Sequence, residues 1–467
     1  MQLEGMIQEL QEKRRILRSR MNATHDPFNF KLPPEIASLI FSLSLQKEDY
    51  EPDKYTLSRL PTAFLLASMC RRWRQLARST PELWSTMSFT LVKPNTNTLP
   101  PLQFISDWLR LSGSLPLTLW IIEEACYNLH WETCPSVVDA INQHSGRWHK
   151  VVLHLHKQHF IHFRGIASPS NLYDLEIILD EGYHETPFFS MISRPSPVHL
   201  TIDSCLSASI DIAWSHLTCI TLRWLPAEEC VRALKLGPLL ESCTLSCLIG
   251  DYDSWPPQPR LIFRHVHLRK LFISEAEGHL LPGFIDLVEF PSIEELSCAP
   301  SYGLMKKSLI PFLQRSGNRL KRLKVLIDIL DVPNTSSALI ELLHTVPYLQ
   351  NLECQVLMMS AKLSNMIASD LFRALSWAPP ILPKLQCLVI RSGDIGDIWE
   401  YIPRLFSRHL VSLKFETRGR VDIRDDELDK ILKLVDEGCD IHIFEDGQDY
   451  LQKARAQQHS LANSPST

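Results

Sequence analysis

The sequence predicts an α/β chain in the repeat sense: a small all-helical module followed by a solenoid with parallel strands inside and helices outside. Three observations carry that expectation. A spaced apolar pattern recurs eleven times between residues 148 and 415. Short segments with helical apolar spacing crowd into residues 28–90, and a turn-rich stretch at 91–101 separates the two regions.

Residues 1–24 are polar and helix-favouring, with Leu3, Ile7, Leu10, Leu17 and Met21 on a 4-3 spacing broken only by Arg14. This is a short coiled-coil-like seam. It fits a partner helix, and it fits a helix packing back on its own domain. The basic run Lys13-Arg14-Arg15 reads most simply as a solvated face.

The helical block begins at Leu32-Pro33-Pro34, with proline in the first turn, where a missing amide costs nothing. Ile36, Leu39, Ile40 and Leu43 then form a stripe at helical spacing that calls for burial. A second helix is expected from Pro61 through Phe64, Leu65, Met69, Trp73 and Leu76, closed by Ser79-Thr80-Pro81. Between them, the charged stretch Gln46–Thr56 reads as an exposed loop.

The elements L-P-P-E-I (32–36), C-R-R-W-R (70–74) and P-x-L-W (81–84) occur together in order, and the block they mark resembles an F-box. In that family a three-helix module presents apolar side chains to a Skp adaptor, which links it to a cullin scaffold and a RING-bound ubiquitin-conjugating enzyme. The resemblance implies adaptor-facing or module-core roles for Leu32, Pro33, Ile36, Ile40, Phe41, Leu65, Cys70, Trp73, Leu83 and Trp84, without separating the two roles. It covers only the 28–90 block of the 467-residue chain. The loop at Gln46–Thr56 departs from the compact form of the family. The layout as a whole is similar to the large F-box-like families of mushroom-forming fungi.

Lys93-Pro94-Asn95 through Leu99-Pro100-Pro101 supplies the linker. Beyond it the pattern apolar-x-x-apolar-x-apolar recurs with central anchors Val151, Leu175, Leu200, Ile220, Cys243, Leu271, Leu296, Leu323, Leu352, Leu388 and Leu413. The copy at Pro197/Leu200/Ile202 is degenerate. Intervals run from 20 to 36 residues, and their mean of about 26 falls in the leucine-rich-repeat range. Each unit would supply a strand with alternate residues inward, then a helix such as Ser337–His344. One unit cannot bury its apolar face alone, whereas a stack can. Residues 102–446 thus resemble an irregular leucine-rich-repeat solenoid. The usual asparagine ladder is mostly missing, and the interval before Leu388 implies an insertion. Phe104–Leu111 and Leu115–Ile121 read as a capping helix and strand, Asp425–Val435 as a late helix, and Cys439–Phe444 as the closing strand. Residues 447–467 read as a disordered tail.

Composition bounds the chemistry. With 45% apolar residues, 22% charge and a net charge of -5, the chain gives no electrostatic case for nucleic acid or membrane. Its twelve cysteines are scattered without a C-x-x-C pair, and Met1-Gln-Leu-Glu-Gly does not read as a signal peptide. Reduced thiols in the cytosol or nucleus are the expectation. None of the sixteen glycines forms a G-x-G pair, so dinucleotide and kinase glycine loops are excluded. His184-Glu185 starts like a zinc-protease motif, but position 188 is Phe. His154 and His156 share a strand face and could hold zinc only if a further ligand joined them; solvated or partner-binding histidines are the simpler reading. Cys243, Cys298 and Cys354 sit at apolar anchor positions, as core residues do. No catalytic residue, cofactor or metal is expected.

Two functional readings follow. In the first, the F-box-like module holds a Skp-type adaptor, and the concave sheet face holds a client through outward residues including Glu176, Asp203, Arg223, Phe272, Lys324, Glu353, Arg391 and Lys414. In the second, the block only caps an interaction scaffold. Exposure of Ile36, Ile40 and Phe41 separates them: a receptor leaves them partly exposed, a cap buries them.

Overall fold

The computed structural model describes residues 2–25, 32–45, 62–91, 102–123, 135–166, 170–179, 189–249, 262–274, 281–299, 305–328, 332–357, 361–377, 379, 381–393 and 398–462. The Gln46–Thr56 loop, the linker beyond Leu91, His184-Glu185 and the last five residues lie outside these. The chain forms two compact units, one of residues 1–197 with 208–213 and the other of 198–207 with 214–467.

In the first unit, helix α1 (Gln2–His25) is followed by α2 (Pro34–Leu43), α3 (Thr62–Met69) and α4 (Arg71–Arg78). The expected second helix is thus two. Cys70 breaks it with an extended backbone (φ -155°), and its Sγ accepts the Trp73 amide at 3.4 Å, making it the N-cap of α4. Strand β1 (Thr86–Leu91) follows directly, so the expected linker begins inside a strand. Helix α5 (Leu102–Leu111), β2 (Leu117–Glu123), α6 (Pro135–Gln143), β3 (Trp148–Leu155) and β4 (Asp174–Leu179) complete the unit's main elements. Strands β1 to β4 pair in parallel, and Met87, Leu119, Val151 and Leu175 stand side by side across them.

Among the described residues, the main sheet of the second unit runs through eleven strands in sequence order: β5 (His199–Asp203), β6 (Cys219–Arg223), β7 (Ser242–Ser246), β8 (Lys270–Ser274), β9 (Glu295–Cys298), β10 (Arg322–Asp328), β11 (Asn351–Leu357), β12 (Cys387–Ser392), β13 (Ser412–Thr417), β14 (Asp440–Glu445) and β15 (Gln448–Asp449). All pair in parallel except the last two. The expected anchors define the register: Leu200, Ile220, Cys243, Leu271, Leu296, Leu323, Leu352, Leu388 and Leu413 are Cα partners in succession, and Ile441 extends the row. Every one of these anchors is buried. Each contributes about 1.5–3 kcal/mol by leaving water if aliphatic, an amount no isolated strand could realise.

Helices cover the inward face. Helix α7 (Ala227–Leu236) starts with Glu228 and Glu229 and buries Cys230, Ala233 and Leu234; α8 (Ile310–Ser316) buries Phe312 and Leu313. Helix α9 (Val332–His344) buries Leu339, Leu342 and Leu343, and α10 (Ala361–Ser376) is the insertion expected before Leu388. The α10 residue Phe372 stacks on Phe415 of β13 at 6.2 Å. Helix α11 (Asp425–Asp436) leads into β14.

A backbone device replaces the missing asparagine ladder. The carbonyls of Thr218, Glu241, Arg269, Glu294, Lys321, Gln350 and Gln386 each accept two consecutive amides from the following repeat, at 2.8–3.0 Å. The turns entering successive strands are therefore satisfied without a dedicated side chain.

Within the stretch expected to be a disordered tail, Gln448–Asp449 form a hairpin strand and Tyr450–Ala462 a helix, α12. Asp449 Oδ1 accepts the Gln452 amide at 3.2 Å, Leu451 and Ala454 are buried, and Arg455 pairs with Asp436. The polar composition misled because two small apolar contacts and a cap suffice to dock a helix onto an existing sheet edge.

The architecture is mixed α/β, with a long, mostly parallel sheet and helices against one face of it. Among the described residues no helix is long and apolar enough to cross a membrane.

Candidate functional site

Helix α2 has more apolar residues than one face can hide. Ala37 and Phe41, four residues apart, turn inward and are buried. Phe41 lies with its ring centroid 5.0 Å from that of Trp73 on α4. This leaves the sequence stripe outward: Ile36 is 44% exposed and Ile40 36%, with Leu39 and Leu43 exposed beside them, whereas Phe41 is 1% exposed. The stripe that called for burial is not the buried face. Leu65 and Met69 are exposed on α3, and both α2 and α3 pack on α4.

The residues implied by the F-box resemblance therefore divide. Pro33, Ile36, Ile40 and Leu65 are exposed, and Leu32 and Trp73 are half-buried. Phe41, Leu83 and Trp84 are core positions, the second of the two roles left open for them, and Cys70 serves as a helix cap. Trp84 donates its indole N–H to the Ala77 carbonyl at 2.7 Å, and Trp108 of α5 donates to the Trp84 carbonyl at 2.7 Å. Buried indoles need such partners. The Thr80 hydroxyl, which donates to the Leu76 carbonyl at 2.8 Å, lies 3.0 Å from Ser38 Oγ and ties α2 to the end of α4.

On the sheet, all eight outward residues expected to face a client are half-exposed. Glu176 belongs to the first unit and the other seven to the second. Asp203 and Arg223 are direct cross-strand neighbours, as are Lys324 and Glu353. Lys324 Nζ lies 2.9 Å from Glu353; Arg391 bonds both Glu353 and Glu416; and Lys414 bonds Glu416 at 2.6 Å and lies over the Phe444 ring at 5.3 Å. Four strands are thus laced by one ion-pair row. The Lys414 hydrogen bond first, and Arg391 second, hold the Glu416 carboxyl below its ordinary range. A client meeting this row would have to displace partners already present. Toward β5, the face changes to the small hydroxyls of Thr201, Thr221, Thr244 and Ser297 around Phe272.

The histidine-rich segment resolves differently from its spacing. His154 is half-exposed, while His159 is buried with Nδ1 2.8 Å from Glu123 Oε2, and the same carboxylate accepts the His156 amide at 2.9 Å. Glu123, at the end of β2, was too distant in sequence to be read as a partner. Among the described residues no group of three or more His, Cys, Asp or Glu side chains is placed to hold a metal ion. Cys243, Cys298 and Cys354 are buried at inward positions, and burial pushes the thiols of Cys298 and Cys354 up to about 12. They pack rather than react.

No protein-family model matches the chain, and no curated protein matches its sequence.

Proposed function

We propose that the chain is a substrate-recognition subunit of a Skp-cullin-F-box ubiquitin ligase, with α2 to α4 as an F-box-like docking module and the strand repeats as an irregular leucine-rich-repeat binding surface. The observation that carries this reading is the outward apolar stripe Ile36, Leu39, Ile40 and Leu43 on α2. A helix that displays its β-branched and leucine side chains to water while a second face is already packed is built to meet a partner. The bond-forming chemistry belongs to other subunits, and this chain supplies two binding surfaces.

Trp84, Trp108 and the direct passage from α4 into β1 favour the second reading, a cap on an interaction scaffold. The two readings use different residues. Capping employs the indoles; docking would employ the opposite, exposed stripe, so the block can do both. Co-purification with a Skp-type adaptor tests docking. Wild type should retain the adaptor and the double variant Ile36→Asp, Ile40→Asp should lose it; absence of retention by a folded wild type removes the receptor reading and leaves the scaffold.

A further inference from the structure

A cleft of about 290 Å³ opens in the first unit between the α3–α4 pair and α5. Its floor is aromatic. Phe64 stacks on Phe104 at 4.6 Å and meets Trp84 and Trp108 edge-on at 5.2 Å each, and Trp84 and Trp108 are themselves perpendicular at 5.9 Å. Both indole N–H groups are spent on backbone carbonyls, so the floor offers ring faces and edges but no donor. The walls are charged: among the described residues, Arg74, Arg78 and Arg110 line the cleft with one carboxylate, Asp107.

Asp107 is already served. Arg110 lies 3.2 Å from it, and the Gln103 hydrogen bond first, then Arg110 and Arg78, hold its carboxyl below the usual range. Arg74 fixes its own position by donating Nε to the Ala67 carbonyl at 2.9 Å, which aims the guanidinium. Among the described lining residues, three cations against one anion give the walls a surplus of positive charge over an apolar floor. That pairing selects a ligand with an apolar end and negative flanks.

We propose that this cleft receives an acidic peptide segment, seating one aromatic side chain against the half-exposed rings of Phe64 and Phe104, which the buried Trp84 and Trp108 back, while flanking carboxylates meet Arg78 and Arg110. The cleft has room for one such side chain, which fits a peptide anchor better than the extended phosphate track that nucleic acid requires. The exposed α2 stripe takes no part in it, so the proposal stands or falls separately from adaptor docking.

The test is fluorescence anisotropy with labelled pentapeptides on the full chain: Glu-Glu-Phe-Glu-Glu, its Lys-flanked counterpart, and Glu-Glu-Gly-Glu-Glu. The first should bind saturably, weaken as salt rises, and exceed each of the others by about tenfold. Combined Arg78→Glu and Arg110→Glu should cut its affinity by about tenfold or more, with circular dichroism unchanged. The salt dependence in wild type keeps the test valid if that variant misfolds. No saturable binding, equal binding of the Lys-flanked or glycine peptide, salt-independent binding, affinity unchanged in the folded variant, or preference for a labelled oligouridylate would each overturn the proposal.

Discussion

Cys70 shows how a single residue can mislead. Between apolar stretches of suitable period it reads as one more helical position, yet its sulfur accepts the Trp73 amide and starts a new helix. Cysteine is not among the preferred caps, so no sequence signal marked the break. Other residues give measurable expectations. His265 accepts the Leu268 amide at Nδ1 (3.1 Å) and donates from Nε2 to the Gly237 carbonyl (3.0 Å), which fixes it neutral, and burial lowers its pKa. The unfolded chain therefore takes up a proton first as pH falls through about 6.5, so this residue's contribution is full above that value and is lost below it. Burial shifts His144 and His162 in the same direction. The urea midpoint of wild type should drop between pH 7.5 and 5.5, and His265→Gln, less stable at the upper pH, should lose less over that interval. Arg391 joins Glu353 to Glu416 on the half-exposed sheet face. Its replacement by methionine should cost about 0.5–1 kcal/mol in low salt and less in 1 M sodium chloride, read from denaturant midpoints.

At the scale of elements, strands were far more legible than helices. The anchor at each strand centre is apolar because alternate residues point inward, and that rule survives any interval length; hence Val151 to Leu413 all took their expected places within their units. Strand β1 lies outside the recurring pattern, and only Met87 is buried among its residues with a described side chain. Helix α2 was legible as a helix but not in its orientation: six of its ten residues are apolar, and sequence cannot rank Ala37 and Phe41 above Ile36 and Ile40 for burial. The difference predicts opposite outcomes for adjacent residues. Phe41→Ala should cost about 3–5 kcal/mol of stability, and Ile40→Ala less than about 1 kcal/mol, both by chemical denaturation. A helix packed through the stripe would reverse that order.

At the scale of the molecule, a period of about 26 residues disclosed the parallel sheet because each repeat buries its apolar face only against its neighbours. The candidate site was less legible. The row Lys324–Glu353–Arg391–Glu416–Lys414 depends on cross-strand neighbours separated by as many as 38 residues in sequence, so the same side chains that looked available to a client are partners of one another. The cleft of Phe64, Phe104, Trp84 and Trp108 likewise joins rings from α3, α5 and the turn before β1, which no spacing rule connects. The proposed adaptor docking rests on the exposed α2 stripe. The decisive measurement is calorimetric titration of a purified Skp-type adaptor into the 467-residue chain. Saturable one-to-one binding should appear and be lost in the Ile36→Asp, Ile40→Asp variant while thermal stability stays within a few degrees of wild type; no heat of binding with the folded wild type, or affinity unchanged in the variant, would rule docking out.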